Sequence, residues 1–160
     1  MNRVGFGTDI HRLVAGRPLI VGGVKIESDL GADGHSDADV LMHAAADAVF
    51  GSLALGDLGT HFPNDEEKWR NAPSEQFLRY AVELVKAKGY CVANVDSVVD
   101  LERPKLRPYI DQMRANLAAA MEIDIDCVSV KAKTSEAVDA VGERLALRAQ
   151  AVVLVIKAGD

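Results

Sequence analysis

The chain has 160 residues, of which 49% are hydrophobic and 26% are charged. That length and composition predict one globular domain over residues 1–160, large enough to fold without a disulfide or a structural metal. The net charge of −6, with only one Trp, three Tyr and four Phe, argues against a nucleic-acid-binding protein. Such proteins depend on basic patches and on aromatic side chains that stack with bases.

The two cysteines, Cys91 and Cys127, are far apart and form no CxxC pair. A thiolate zinc site or a redox motif is therefore not expected, and a reducing compartment fits the chain. The first residues, Met1–Phe6, lack the apolar stretch of a signal peptide. The longest apolar run, Ala151–Ile156, is too short to cross a bilayer. Together these features predict a cytoplasmic protein that does not enter a membrane.

The first half of the chain is predicted to begin with a strand over Val4–His11. A hairpin then follows over residues 19–26, with its turn at Gly22 and Gly23. A loop rich in Gly and Asp precedes an Ala-rich helix that runs to about Leu53. Ser36, with Asp39 three residues later, resembles a capping box and is expected to begin this helix.

The second half alternates strands and helices after a loop over Gly56–Pro73. Ser74 is expected to cap the next helix, and Pro108 to be the first residue of another. The predicted strands cover Val95–Leu101, Val128–Ala132 and Leu145–Lys157. From Ala149 to Ile156 the last strand is apolar at nearly every residue, which predicts burial on both faces. We therefore expect an α+β fold: a small mixed β-sheet with helices packed on one face, and the other face buried by a partner subunit.

Asp9 and His11 form the first candidate ligand pair. Residues two apart on a strand point to the same side, so this carboxylate and this imidazole can share one ion. A lone pair of this kind is more often a solvated strand end. His43 adds a third ligand, with Asp39 and Asp47 four residues away on either side as carboxylate partners, unless that face is simply acidic and solvated. Three such ligands leave one tetrahedral position open, as a catalytic zinc requires.

Two further candidates, His35 and Ser36, lie where the loop meets the Ala-rich helix. Backbone N–H groups and a partial positive charge at a helix N-terminus suit a phosphate. Plain capping would explain Ser36 equally well.

Three other segments carry polar side chains that could bind a substrate. Asp57 follows the Ala-rich helix and could bind hydroxyls or only make a turn. Arg103–Pro108 is basic in an acidic chain, which fits a nucleotide or phosphate contact, or a connection shaped by two prolines. Lys131–Glu136 ends a strand in two hydroxyls and a carboxylate, which suit phosphoryl oxygens and a hard cation such as Mg²⁺, or a helix cap.

Taken in order, these segments resemble the 2-C-methyl-D-erythritol 2,4-cyclodiphosphate synthases of the non-mevalonate isoprenoid pathway. The matching stretches span nearly the whole chain: GFGTDIHRL, LIVGGVKI, GHSDADVLMHAAADAVFGSLALGDLGTHFP, PKLRP and VKAKTSE. The resemblance implies a metal-dependent phosphorus–oxygen lyase that converts 4-diphosphocytidyl-2-C-methyl-D-erythritol 2-phosphate to 2-C-methyl-D-erythritol 2,4-cyclodiphosphate and releases CMP. It also implies a homotrimer with active sites between neighbouring subunits.

The resemblance also assigns the ions and the catalytic side chains. Zinc would be held by Asp9, His11 and His43, and a second divalent cation, Mg²⁺ or Mn²⁺, by Glu136. His35 and Thr134 would be catalytic, steadying the pentavalent phosphoryl group.

The remaining assignments concern the substrate. Asp57 would bind the erythritol hydroxyls, and the loop around Pro104, Lys105 and Leu106 would take the cytosine. The other residues expected to contact the substrate are Asp9, His11, His35, Ser36, Leu58, Gly59, Phe62, Pro63, Asn64, Asp65, Lys133, Thr134, Ser135 and Glu136.

One segment departs from the family pattern. Many members carry Gly-Phe-x-Gly-Arg-x-Glu-Gly after the TSE-like turn, whereas Asp139–Ala146 differs here. The departure puts in doubt the binding of isoprenoid-like molecules in the central cavity of a trimer. Two alternatives stay open: a zinc phosphodiesterase whose open metal position activates water, and a non-enzymatic metal-binding oligomeric protein.

Overall fold

The computed structural model describes residues 1–63 and 66–159. The strands are β1 (Arg3–Ala15), β2 (Leu19–Val21), β3 (Val24–Ile26), β4 (Leu30–Ala32), β5 (Tyr90–Asp100), β6 (Val128–Lys133) and β7 (Ala146–Lys157). The helices are α1 (Val40–Ser52), α2 (Leu58–His61), α3 (Glu75–Ala87), α4 (Ile110–Met121) and α5 (Asp139–Gly142), with short 3₁₀ turns at Glu67–Trp69, Arg107–Tyr109 and Ile125–Cys127. Within the described ranges, no helix combines the length and the apolar character that a membrane crossing needs.

A five-stranded sheet in the order β4-β1-β7-β5-β6 forms the centre of the fold. β1 pairs antiparallel with β4 and β7, β7 pairs antiparallel with β5, and β5 pairs parallel with β6. β2 and β3 form the separate predicted hairpin. α1 packs against β1 and β7, and α3 packs against α1 and α4. The predicted mixed sheet with helices on one face is confirmed.

Two glycines of β1 allow α1 to lie directly on the strand. A Cβ atom on Gly5 would come within 1.7 Å of the Ala48 carbonyl oxygen, and one on Gly7 within 2.1 Å of the Ala44 oxygen. Only a residue without a side chain fits such backbone contacts. The small residues of α1 face these glycines, so the helix that carries His43 lies against the strand that carries Asp9 and His11.

The prediction that Ser36 begins α1 is wrong, because Asp39 is the N-cap. Its carboxylate accepts hydrogen bonds from the N–H groups of Leu41 and Met42, both at 3.1 Å, and also from Gly22 and Gly23 in the turn between β2 and β3. Asp39 therefore ties the hairpin to the helix. Burial raises the pKa of Asp39 to about 6, although the backbone N–H groups act in the opposite direction.

Other boundaries also differ from those predicted from the sequence. β1 extends from Arg3 to Ala15, and β5 begins at Tyr90 rather than Val95, with a register shift relative to β7 between Val92 and Asn94. β4 lies within the predicted loop before α1, and α2 lies within the predicted loop after it. These short elements depend on pairing or capping rather than on a long apolar pattern.

The last strand, β7, is covered on one face only within the single chain. Leu147, Ala149, Ala151, Val153 and Val155 are buried beneath the helices. On the opposite face Val152 is 43% exposed, and its neighbour on β1, Phe6, is 59% exposed. The described residues of this chain therefore leave the second face of β7 partly open, and its burial by a partner subunit stays a prediction.

Candidate active site

Three side chains converge where β1 meets α1. Asp9 Oδ2 lies 2.9 Å from His11 Nε2 and 3.0 Å from His43 Nδ1, and the two imidazole nitrogens are 3.1 Å apart. Asp9 and His11 are half-buried and His43 is buried. Donor atoms about 2 Å from one tetrahedral zinc lie roughly 3.3 Å from one another, so this triangle has the dimensions of a metal site.

Hydrogen bonds on the far side of each ring set the orientation of the two histidines. His11 Nδ1 is 3.0 Å from the Asp33 carbonyl oxygen, which can only accept a hydrogen bond. His43 Nε2 is 2.7 Å from Ser74 Oγ and 3.2 Å from Ser36 Oγ. Because the outer nitrogens keep their protons, His11 Nε2 and His43 Nδ1 are the nitrogens that would give up a proton to a cation beside Asp9, as metal ligation requires.

Burial and charge compete at this cluster. Burial disfavours the charged form of Asp9, but hydrogen bonds and positive charge from His11 and His43 outweigh it and hold the pKa of Asp9 well below its ordinary range. Burial by itself lowers the pKa of His11. The hydrogen bond and the negative charge of Asp9 outweigh burial, so the pKa of His11 lies above its ordinary value. The Asp9 carboxylate is thus kept ionised, ready to ligate a cation.

The expected carboxylate partners of His43 do not contact its ring. In the described part of the chain, neither Asp39 nor Asp47 hydrogen-bonds an imidazole nitrogen of His43. Asp39 caps α1, while Asp47 accepts a 2.7 Å hydrogen bond from the N–H of Leu58 at the start of α2. The helical spacing puts Asp39 and Asp47 on the same face as His43. Their carboxylates nevertheless bind backbone N–H groups that would otherwise lack a hydrogen-bond partner, and not the imidazole.

A cavity of about 290 Å³ opens beside the three ligands. Its walls combine the Asp9–His11–His43 cluster, the loop before α1, and aromatic side chains from later segments. The lining residues are Asp9, His11, Gly34, His35, Ser36, His43, Leu58, Phe62, Trp69 and Phe77. His35 is fixed by a 2.9 Å hydrogen bond between Nε2 and the Glu66 carbonyl oxygen. Besides Asp9 and His11, four of the predicted substrate-contacting residues line this cavity: His35, Ser36, Leu58 and Phe62.

Comparison with known proteins identifies the family. The YgbB family model matches residues 2–156. A 2-C-methyl-D-erythritol 2,4-cyclodiphosphate synthase of Salinibacter ruber is 56% identical over 149 residues, covering 93% of this chain and 95% of that protein. The chain belongs to the YgbB family.

Solved structures agree with this membership. A 2C-methyl-D-erythritol-2,4-cyclodiphosphate synthase in a CDP-bound form is 41% identical, with a TM-score of 0.89 over 96% of this chain and 100% of that one. The bifunctional IspDF of Campylobacter jejuni is 33% identical with a TM-score of 0.94, covering all of this chain but 43% of that longer protein. The fold of this YgbB-family chain is therefore that of the synthase structures.

The residues predicted to take the cytidine and the second cation lie outside the metal-site cavity. Pro104 and Lys105 line a different cavity of about 640 Å³, together with Arg144 and the segment 27–29, whereas Leu106 is buried. Thr134 Oγ1 donates a 2.7 Å hydrogen bond to Glu136, and the Ser135 N–H donates to Glu102 at 3.2 Å. Lys133 is exposed at the end of β6, where its carbonyl accepts from the Leu101 N–H.

The remaining predicted substrate contacts lie on and after α2. Asp57 is the N-cap of α2, and its Oδ1 accepts from Thr60 N at 2.9 Å and Thr60 Oγ1 at 2.7 Å. These hydrogen bonds hold the pKa of Asp57 below its ordinary value. Gly59 is exposed and Pro63 is half-buried. Asn64 and Asp65 lie outside the described residues.

Sequence reasoning missed four residues that shape the site. Trp69 and Phe77 wall the cavity, and Asp37 and Ser74 lie behind His43. Ser74 was predicted to cap α3, yet its hydroxyl makes no capping hydrogen bond and contacts His43 instead. Ser74 and His43 are 31 positions apart, so no local pattern could reveal the contact. The Asp39 carboxylate occupies two of the N–H groups at the start of α1, and the predicted binding of a phosphate by His35 and Ser36 stays a prediction.

Proposed function

We propose that this protein converts 4-diphosphocytidyl-2-C-methyl-D-erythritol 2-phosphate to 2-C-methyl-D-erythritol 2,4-cyclodiphosphate and CMP, a step in non-mevalonate isoprenoid precursor biosynthesis. The observation that carries the proposal is the Asp9–His11–His43 cluster beside a cavity lined by His35, in a chain of the YgbB family. It acts as one catalytic domain over residues 1–160, in the cytoplasm.

The reaction is an intramolecular phosphoryl transfer. An oxygen of the 2-phosphate attacks the β-phosphorus of the diphosphate, and the bond from that phosphorus to the bridging oxygen breaks. The electron pair of that bond leaves with CMP. Such a reaction requires little covalent chemistry from the protein, which has to bring the nucleophile and the phosphorus into line and offset negative charge.

Asp9, His11 and His43 are the proposed zinc ligands, and the donor triangle with edges of 2.9–3.1 Å fits that ion. When bound, the zinc would supply positive charge to the β-phosphate. His35, held by the Glu66 carbonyl, and Thr134 would hold the phosphoryl oxygens in the proposed catalytic geometry. Ser36, Leu58, Phe62 and Asp57 are the proposed contacts of the methylerythritol unit.

The second divalent cation, Mg²⁺ or Mn²⁺, is proposed to bind Glu136. The cytosine would lie on the loop of Pro104, Lys105 and Leu106, with Lys133 and Ser135 also in contact with the substrate. These residues lie outside the cavity of the zinc ligands within one chain, and the exposed apolar face of β1 and β7 needs a cover. We therefore propose a homotrimer in which a neighbouring subunit completes each site.

A product assay tests the function. Purified protein is incubated with the cytidyl substrate, zinc and magnesium, and the products are separated and identified by mass. We expect CMP and the cyclic diphosphate in equal amounts. A linear free phosphate in place of the ring would indicate a zinc phosphodiesterase, and zinc binding without any turnover would indicate a metal-binding oligomeric protein.

Chelation gives the second test. Removal of bound metal should abolish CMP release, while circular dichroism still reports a folded chain, because a domain of this size does not need a metal to fold. Readdition of zinc should restore turnover. Full activity in metal-free protein would contradict the proposed mechanism, and loss of the fold together with the metal would make the zinc structural.

A further inference from the structure

A series of buried and partly buried hydrogen bonds runs from the Asp9–His11–His43 cluster to Asp37, between the N-terminal ends of α1 and α3. Ser74 is completely buried, and its Oγ lies 2.7 Å from His43 Nε2. The same hydroxyl donates to Asp37 Oδ1. Asp37 is itself held by the N–H of Ser74 at 3.0 Å and the N–H of Asp39 at 3.2 Å.

The order of donors in this chain follows from the number of protons available. A carboxylate only accepts hydrogen bonds, so the single hydroxyl proton of Ser74 points to Asp37. The Ser74 oxygen then has only lone pairs to offer to His43, and the hydrogen bond at Nε2 requires that this nitrogen carries the ring proton. His43 Nδ1, 3.0 Å from Asp9 Oδ2, is then the ring nitrogen whose proton a metal ion would replace.

The position of Ser74 supports a role beyond helix formation. It directly precedes α3, where a serine hydroxyl usually caps the helix, but Ser74 makes no such bond. The Ser74 hydroxyl makes its hydrogen bonds with the His43 imidazole and the Asp37 carboxylate, and not with the backbone of α3. Ser36 Oγ is the more distant neighbour of Nε2, at 3.2 Å, and it also accepts from the Ala38 N–H.

We propose that Asp37 and Ser74 are positioning residues that fix His43 in the tautomer able to bind a metal through Nδ1, and thereby set the affinity of the cluster for zinc. His11 needs no such pair, because a backbone carbonyl performs the same role for its ring. The inference rests on the proposed metal site. Partners of this kind behind a ligating histidine contribute about 10- to 100-fold to metal affinity.

The test is a competition titration of zinc against a chromophoric chelator, on the full chain with Ser74→Ala, Asp37→Asn and both changes together. Each single change should raise the zinc dissociation constant about 10- to 100-fold. Both residues act on His43 through the same series of hydrogen bonds. The zinc dissociation constant of the double variant should therefore be no larger than that of the more affected single variant. Thermal unfolding of the metal-free proteins, followed by circular dichroism, confirms that each variant is folded.

Ser52→Ala is the matched control, since Ser52 is also buried and its hydroxyl donates at 2.7 Å to Val49 within α1. Its zinc affinity should equal that of the unchanged protein. Wild-type zinc affinity in folded Ser74→Ala, or single effects that multiply in the double variant, would overturn the positioning role while leaving the proposed function intact. An unchanged protein that binds no zinc would instead overturn the metal site on which both proposals rest.

Discussion

Asp9 is the common partner of both histidines, through one carboxylate oxygen. Glu136, the proposed ligand of the second cation, occupies a different environment: it follows β6, has a positive φ of 52°, and accepts a hydrogen bond from Thr134. An imidazole-rich cluster suits zinc, whereas a carboxylate beside hydroxyls suits a harder ion. The two cations should therefore depend on different residues.

Substitution of one residue from each environment tests this division. His43→Ala should reduce bound zinc from about one ion per chain to near zero, because only two ligands remain. Glu136→Gln should keep the zinc and weaken the response of CMP release to magnesium. Metal analysis of the two purified proteins and magnesium titrations of turnover measure these outcomes. Stoichiometric loss of zinc in Glu136→Gln would show that the two sites are not separate.

At the scale of elements, the site depends on how closely β1 approaches α1. The two glycines in β1 leave room for the backbone of the helix, and this contact brings the ligands of the strand to the ligand of the helix. A larger residue there would have to push the two elements apart, since the obstructing atoms are backbone rather than flexible side chain.

Gly7→Ala should therefore weaken both the fold and the metal site. The added Cβ would lie 2.1 Å from the Ala44 oxygen and 2.6 Å from the Ala48 nitrogen. Overpacking of this kind typically lowers the free energy of unfolding by about 1–3 kcal/mol. Displacement of β1 should also raise the zinc dissociation constant, as Asp9 and His11 move away from His43. Denaturant unfolding and zinc titration measure the two effects.

Gly51→Ala provides the comparison on the partner element. A Cβ there would have Phe6 O, at 3.8 Å, as its nearest neighbour, which is an ordinary contact. Because alanine favours a helix over glycine by about 1 kcal/mol, this change should be neutral or stabilising and leave zinc affinity unchanged. Equal stability and zinc affinity in Gly7→Ala and Gly51→Ala would show that close approach is not what assembles the site.

At the scale of the whole molecule, one face of the sheet exposes apolar side chains. Val4, Phe6, Ile10 and Val152 are all more than 40% exposed on the side away from the helices. Val4 pairs with Leu154 and Phe6 with Val152, so these side chains form a continuous surface on β1 and β7. A contiguous apolar surface of this kind marks an interaction surface, and the proposed trimer would bury it.

The proposed trimer predicts complementation between two inactive variants. His43→Ala damages the zinc half of every site, and Glu136→Ala damages the half contributed by the neighbouring subunit. In an equal, randomly mixed population, about a quarter of the interfaces combine two intact halves, because each half is intact in one chain of two. Co-refolded mixtures should recover up to about that fraction of wild-type CMP release.

Each variant refolded alone serves as the control and should stay inactive. Sedimentation should first establish that the mixtures assemble as trimers. If mixed trimers remain as inactive as their parents, each site is contained within one chain and the shared arrangement is wrong.

Much of this protein could be predicted from local sequence. The long strands and helices have apolar residues at the spacing of a strand or of a helix, and this spacing predicts the type of element. The stripe of Met113, Leu117 and Met121 on α4 is an example. The Asp-x-His pair on β1 predicted, through strand alternation, that two side chains of the cluster share one side of the strand, and the flanking motifs carried the family resemblance. Sequence alone therefore predicted the mixed sheet, the meeting of Asp9, His11 and His43, and the family.

Only the tertiary structure decided how the cluster is supported. Asp39 and Asp47 have suitable helical spacing from His43, but backbone N–H groups of the β2–β3 turn, of α1 and of α2 bind their carboxylates. Ser74 has a suitable position for a cap, but His43 and Asp37 take its hydroxyl. Polar side chains bind whichever donors and acceptors the fold leaves unsatisfied in the interior. Such partners come from distant parts of the chain and are known only once those parts are packed together.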